Sequence, residues 1–167
     1  LDVDMPTTID CMVAGHQHKG ASVIECLVNC VIFNNGTHNW IADREMRAER
    51  SIVLKHGEKM IFGKEKDKGL ALDYSQGLIP KLAIVAANDE RVLTHDATLQ
   101  DPGLHRMLAM MGQEQDTSLP IALGVIRNVD EESYDIAVNQ QINQVREQSK
   151  AKCFDELTNT LEQWEIK

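Results

Sequence analysis

Residues 23–36 read VIECLVNCVIFNNG, an apolar, β-branched run that ends in a polar turn. Near-continuous apolarity from Ala21 to Phe33 predicts a central strand with both faces covered, as in a parallel sheet. A buried helix is the competing reading. The β-branched residues and the bracketing glycines favour the strand, and with it an α/β fold. Two cysteines lie in the run. On a strand, Cys26 and Cys30 point to one face but stand about 13 Å apart, too far to bridge each other or to share one small metal centre. Only one can be special. Cys26, mid-run between Glu25 and Leu27, reads as a small buried hydrophobe. Cys30 approaches the turn, the strand-end position where α/β sheets place their chemistry. Core packing, a nucleophile and a metal ligand all remain open for it.

Around this run the pattern is mixed. Asp4 and Pro6 open a helix along which Ile9, Met12, Val13 and His16 recur, and His18-Lys19-Gly20 closes it. Asn34-Asn35-Gly36-Thr37 is turn chemistry. From there to Asp73, short apolar pairs alternate with glycines and charges. Short strands are expected near 51–54, 60–63 and 70–72, in a segment that borrows its core from a neighbour. Residues 78–87 and 91–95 form a further apolar pair of elements. Asp101-Pro102 starts a helix with the stripe Leu104, Met107, Leu108 and Met111, which Gly112 stops. Residues 119–129 are a strand candidate. Asp130 is expected to cap a helix carrying Tyr134, Val138, Ile142 and Val145, and Phe154, Leu157, Leu161 and Trp164 make a last amphipathic stripe.

Composition narrows the function. A formal charge of −9, with 17 scattered Lys and Arg, argues against nucleic acid and against an anionic membrane surface. No stretch approaches the roughly 20 apolar residues that span a bilayer, and the opening Leu-Asp-Val-Asp-Met-Pro is not an export signal. The expectation is a cytoplasmic protein whose four cysteines (Cys11, Cys26, Cys30, Cys153) are reduced. Position 1 is not Met, so the chain is expected to be a piece of something longer. Gly-x-Ser-x-Gly, Gly-x-Gly-x-x-Gly and P-loop motifs are absent. A cysteine hydrolase would need a histidine beside Cys30, and six histidines supply candidates too freely to count. His16 and His18 diverge on a helix. His95-Asp96 resembles a catalytic dyad in letters only, because adjacent residues point apart.

The stretch HKGASVIECLVNCVIFNNGT (18–37) resembles the thiamine-diphosphate-binding β subunit of 2-oxoacid:ferredoxin oxidoreductases, where a His-x-Gly helix end leads through a strand into Asn-Cys-x-x-Phe-Asn. The similarity continues through LKHGEKMIFG (54–63), KGLALD (68–73), VLTHD (92–96) and PIALGVIRNVDEESYD (120–135), and ends in LEQWEI (161–166). The motif form and the Trp-containing tail lean toward the 2-oxoglutarate or general 2-oxoacid branch.

The resemblance implies the C-terminal part of a thiamine-diphosphate-binding, doubly wound parallel-sheet fold (1–35), followed by a loop-rich C-terminal extension (36–167). It implies coenzyme A-dependent oxidative decarboxylation of a 2-oxoacid, with electrons passed to ferredoxin. The cofactors would be thiamine diphosphate, Mg²⁺ and a 4Fe–4S cluster, and the macromolecular partners an α subunit and ferredoxin. Cys30 matches the last of four cluster cysteines, and no residue here matches a catalytic one. The family's other three cluster cysteines and its Gly-Asp-Gly element lie upstream of these residues. Cys11 and Cys153 do not occupy those positions, and Val28 stands where Gln is usual. The isolated segment is therefore expected to be inactive. The alternative is a non-catalytic binding or assembly module on the same scaffold.

Overall fold

The computed structural model describes residues 1–75, 77–112, 118–159 and 164. They form two compact units. One comprises Leu1–His18 with Ser22–Asp130, the other Lys19–Ala21 with Glu131–Lys167.

The first unit opens with α1 (Met5–Gln17), built as the sequence predicts. Asp4 caps it, accepting from the Thr7 hydroxyl at 2.9 Å and more weakly from the Thr7 amide at 3.5 Å. Pro6 sits in the first turn, where its missing N–H costs nothing. His18 then turns extended, with its amide on Ala14 O. Two short helices that the sequence reading missed follow, α2 (Asn39–Ala42) and α3 (Arg44–Arg50). A signal for α3 was available: Asp43 accepts from the amides of Glu45 and Met46 at 2.9 and 3.1 Å, and Glu45 lies in the first turn.

Five strands come next, in two sheets. β1 (Ser51–Leu54) and β5 (Ile121–Gly124) pair in parallel, Ser51 with Ile121 through Leu54 with Gly124. β2 (Ile61–Phe62), β3 (Lys68–Asp73) and β4 (Lys81–Ala86) form an antiparallel meander in that order. The strands expected near 51–54, 60–63 and 70–72 are thus present, and the chain is α/β. β4 starts at Lys81, just after Pro80, which has no amide to give a ladder. Residues 91–95 do not form a strand; Thr94 makes only an isolated bridge to Lys59. The helix after Pro102 is α4 (Gly103–Ala109).

These elements bury Ile52, Leu54, Met60, Phe62, Leu70, Leu108 and Met111 together, with Leu82, Leu104 and Ala122 packed around them. The strands of 34–73 complete this core with apolar residues from 104–126, a pairing too distant in sequence for local periodicity to reveal.

The apolar run of the opening motif is also corrected. Residues 21–29 form no helix and belong to no ladder, and Cys30 makes an isolated bridge to Asn34. Val23, Val31, Ile32 and Phe33 are largely exposed, and Cys26 is exposed rather than packed. A central strand needs a hydrogen-bonded neighbour on each side. Among the described residues neither neighbour is supplied.

In the second unit, α5 (Tyr134–Gln148) and α6 (Phe154–Asn159) carry the predicted stripes, yet neither has a buried residue. Ser133, not Asp130, occupies the cap position of α5. At its other end Lys152 Nζ donates to Arg146 O and Glu147 O at 3.1 and 3.3 Å, a cation on otherwise unsatisfied carbonyls. Leu161 of the last stripe lies outside the described residues. Among the described residues, no helix is long and apolar enough to cross a membrane.

Candidate functional site

Cys30 sits at the head of a turn that the following residues build. Asn34 N donates to Cys30 O at 3.0 Å. Asn29 braces the turn from beneath: its Oδ1 accepts from Gly36 N at 2.8 Å, its Nδ2 donates to Asn35 Oδ1 at 3.2 Å, and its own amide donates to Asp2 Oδ2 at 3.0 Å. Gly36 is required at the turn's exit, with φ +83°, and a Cβ there would meet Asn39 Nδ2 at 2.8 Å.

The consequence is electrostatic. Backbone amides of Phe33, Ile32 and Asn34 point at the Cys30 sulfur, Phe33 contributing most, and hold its pKa below that of an ordinary thiol. Amide dipoles favour the thiolate over the thiol. The sulfur is half-exposed and no hydrocarbon shell seals it. The donors directed at it are backbone amides.

The other predicted thiols are elsewhere. Cys11 lies on α1, where burial pushes its thiol up. Cys153 is exposed in the second unit. Among the described residues no group of three or more His, Cys, Asp and Glu converges on a possible metal. Of the described residues Cys30 offers one soft sulfur donor with amides directed at it, the chemistry that a single corner of an iron–sulfur cluster would need, and no set of them fits a complete cluster or an oxygen-rich Mg²⁺ site.

His95-Asp96, set aside in the sequence, belongs to a polar buckle. His95 is buried and its Nε2 donates to Val125 O at 2.9 Å. His105 Nε2 donates to Asp96 O at 2.9 Å, while its Nδ1 faces Arg127 Nη1 at 3.3 Å. Arg127 also donates to Leu99 O at 2.6 Å. These bonds tie 95–105 to 125–127. They explain two histidines and an arginine as architecture, and only their spacing in three dimensions reveals it. Beside the buckle, a cleft of about 350 Å³ opens between α1 and the carboxyl ends of β1 and β5, lined by Asp10, Cys11, Leu54, His56, Thr98 and Val125 among others.

Comparison with known proteins gives one clear likeness. Over 148 residues the chain is 30% identical to the 2-oxoglutarate oxidoreductase subunit KorB of Mycobacterium tuberculosis (strain ATCC 25618 / H37Rv), an overlap covering 85% of this chain. This chain resembles a 2-oxoglutarate oxidoreductase subunit. The resemblance read from residues 18–37 onward thus holds over most of its length. The chain spans 37% of the length of KorB. No family model matches it, and neither does any solved structure.

Proposed function

We propose that this chain is the C-terminal portion of the β subunit of a 2-oxoacid:ferredoxin oxidoreductase acting on 2-oxoglutarate or a close analogue, in the cytoplasm, with an α subunit, coenzyme A and ferredoxin as partners. The observation that carries the reading is the likeness to KorB across 85% of the chain. The Cys30 turn is what the geometry adds.

In this reading residues 1–35 end a thiamine-diphosphate-binding domain, with 36–167 as its extension. Val23, Val31, Ile32 and Phe33, exposed here, are residues such a domain would cover. When bound, thiamine diphosphate with Mg²⁺ would supply carbanion stabilisation and a 4Fe–4S cluster one-electron transfer. The chain's own part is narrower. It presents Cys30 Sγ at the head of a turn, with amides of residues 32–34 directed at the sulfur, an arrangement that favours the thiolate. Such donors stabilise negative charge on a ligating sulfur and thereby raise the potential of the centre it binds. Asn29 and Gly36 hold the turn so that this donor set is formed in advance. No residue described here takes or gives a proton to substrate.

The test uses the complete subunit with its partner subunit. Replacing Cys30 by Ala or Ser should lower iron and sulfide content, remove the cluster's visible absorbance and abolish ferredoxin reduction. Unchanged absorbance and unchanged ferredoxin reduction in Cys30→Ala would remove Cys30 from the proposal.

A further inference from the structure

The turn that carries Cys30 holds a second piece of chemistry, at Asn35-Gly36. An asparagine followed by glycine can cyclise without an enzyme. The glycine nitrogen attacks the side-chain carboxamide, and no Cβ on the glycine stands in the way. The reaction needs a backbone nitrogen free to lose its proton, a carboxamide free to turn toward it, and water to open the ring. Water is at hand, because Asn35 is exposed. One residue withholds the other two.

That residue is Asn29. Its Oδ1 accepts from Gly36 N at 2.8 Å, and its Nδ2 donates to Asn35 Oδ1 at 3.2 Å. The attacking nitrogen and the group it would attack are thus held by the two ends of a single neighbouring carboxamide. A carboxamide oxygen accepts a hydrogen bond but is no base, so the contact stabilises the Gly36 N–H rather than removing its proton. The surrounding backbone is fixed as well: Thr37 N donates to Asn34 O at 3.4 Å, and Asn39 N to Gly36 O at 3.0 Å. Asn29 is itself anchored, its amide donating to Asp2 Oδ2 at 3.0 Å. Ring closure has to break the Asn29 contacts first.

We propose that Asn35 is a site of spontaneous deamidation that the Asn29 carboxamide holds closed, and that it reacts when the Cys30 turn opens. A bond forms between Gly36 N and Asn35 Cγ, the Cγ–Nδ2 bond breaks, and ammonia leaves with the Gly36 proton. Water then opens the cyclic imide at either carbonyl, giving aspartate or isoaspartate at position 35. No oxidant or reductant takes part. Either product puts a negative charge on the turn. Isoaspartate also adds a methylene to the main chain, which moves Gly36 N off Asn29. The modification is then a one-way record of turn opening, and none of this depends on what Cys30 binds.

The test uses the complete subunit with its partner subunit. Samples are kept in mildly alkaline buffer and digested at intervals, and the peptide containing Asn35 is followed by mass spectrometry and by an isoaspartate-specific methylation assay. Two hydrogen bonds must be given up, so native Asn35 should convert at least about tenfold more slowly than Asn35 of the same subunits in concentrated urea. Asn29→Ala should remove most of that difference, and hydrogen exchange should quicken in the 29–39 turn of that variant and not in the β-strands. Should Asn29→Ala fail to fold, Asp2→Ala takes away only the anchor of Asn29 and should raise the native rate by a smaller factor. A native rate equal to or above the urea rate would overturn the proposal, as would a native rate that neither variant changes.

Discussion

Acid should weaken the first unit through one side chain, His95. It is 1% exposed, its Nε2 proton is held by Val125 O, and its Nδ1 is buried with no hydrogen-bond partner among the described residues. Protonating Nδ1 would place a cation in the interior beside His105 and His56. Burial is the main cause that lowers its pKa from the ordinary 6.5; those two histidines add to it, while the Val125 carbonyl and Asp96 oppose it. The unfolded chain takes up the proton near pH 6.5 and the folded chain does so only at lower pH. Stability from the neutral ring is therefore complete above about pH 6.5 and is lost as pH falls toward the depressed folded value, by up to about 1.4 kcal/mol per pH unit. Asp96 lies outside this window, because the Thr98 hydroxyl and amide hold its carboxyl below the usual range. His95→Leu should cost about 1–3 kcal/mol at pH 8, since Val125 O loses its donor. The same variant should show a flatter decline below pH 6.5. Urea-unfolding midpoints from about pH 8 to about pH 5.5, followed by circular dichroism, measure both effects. If the gap between wild type and His95→Leu stays constant with pH, the assignment of a neutral buried ring is refuted.

Two further outcomes are expected. Gly124 has φ +92°, and a Cβ there would lie 2.6 Å from Leu54 O across the parallel pair; Gly124→Ala should therefore cost at least about 2 kcal/mol, visible as a lowered melting temperature, and an unshifted Tm would contradict that close approach. Iodoacetamide at neutral pH should label Cys30, whose pKa the turn amides lower, faster than Cys11, whose pKa burial raises, with the ratio shrinking as pH rises past the thiol range; equal rates at neutral pH would mean the amides do not reach the sulfur.

Local chemistry was legible wherever a few neighbouring residues decide it. Asp4 and Pro6 start α1, Pro102 precedes α4 and Gly112 follows it, and the short strands sit where paired apolar residues alternate with glycine. The missed helix α3 lay in a charged stretch with no apolar stripe to report it, although Asp43 was a readable cap. Residues 23–33 misled for the opposite reason. Their side chains have the composition of a central strand, but a strand is made by hydrogen bonds to neighbours, and no residue can carry its neighbour in its own side chain.

The site divides in the same way. Its position and its resemblance were written in Asn29-Cys30 and Phe33-Asn34, because a cysteine before a polar turn is a local pattern. Three amides directed at that sulfur could not be read there, since side-chain type says nothing of where a backbone N–H points. Distance in sequence hid the rest: His95 bonded to Val125, and Arg127 on Leu99. Sequence alone determined which segments can be helix, turn or strand, because propensity and capping act over a few residues. Tertiary structure alone decided which rings and carbonyls meet, because burial and hydrogen bonding join groups that the chain keeps far apart.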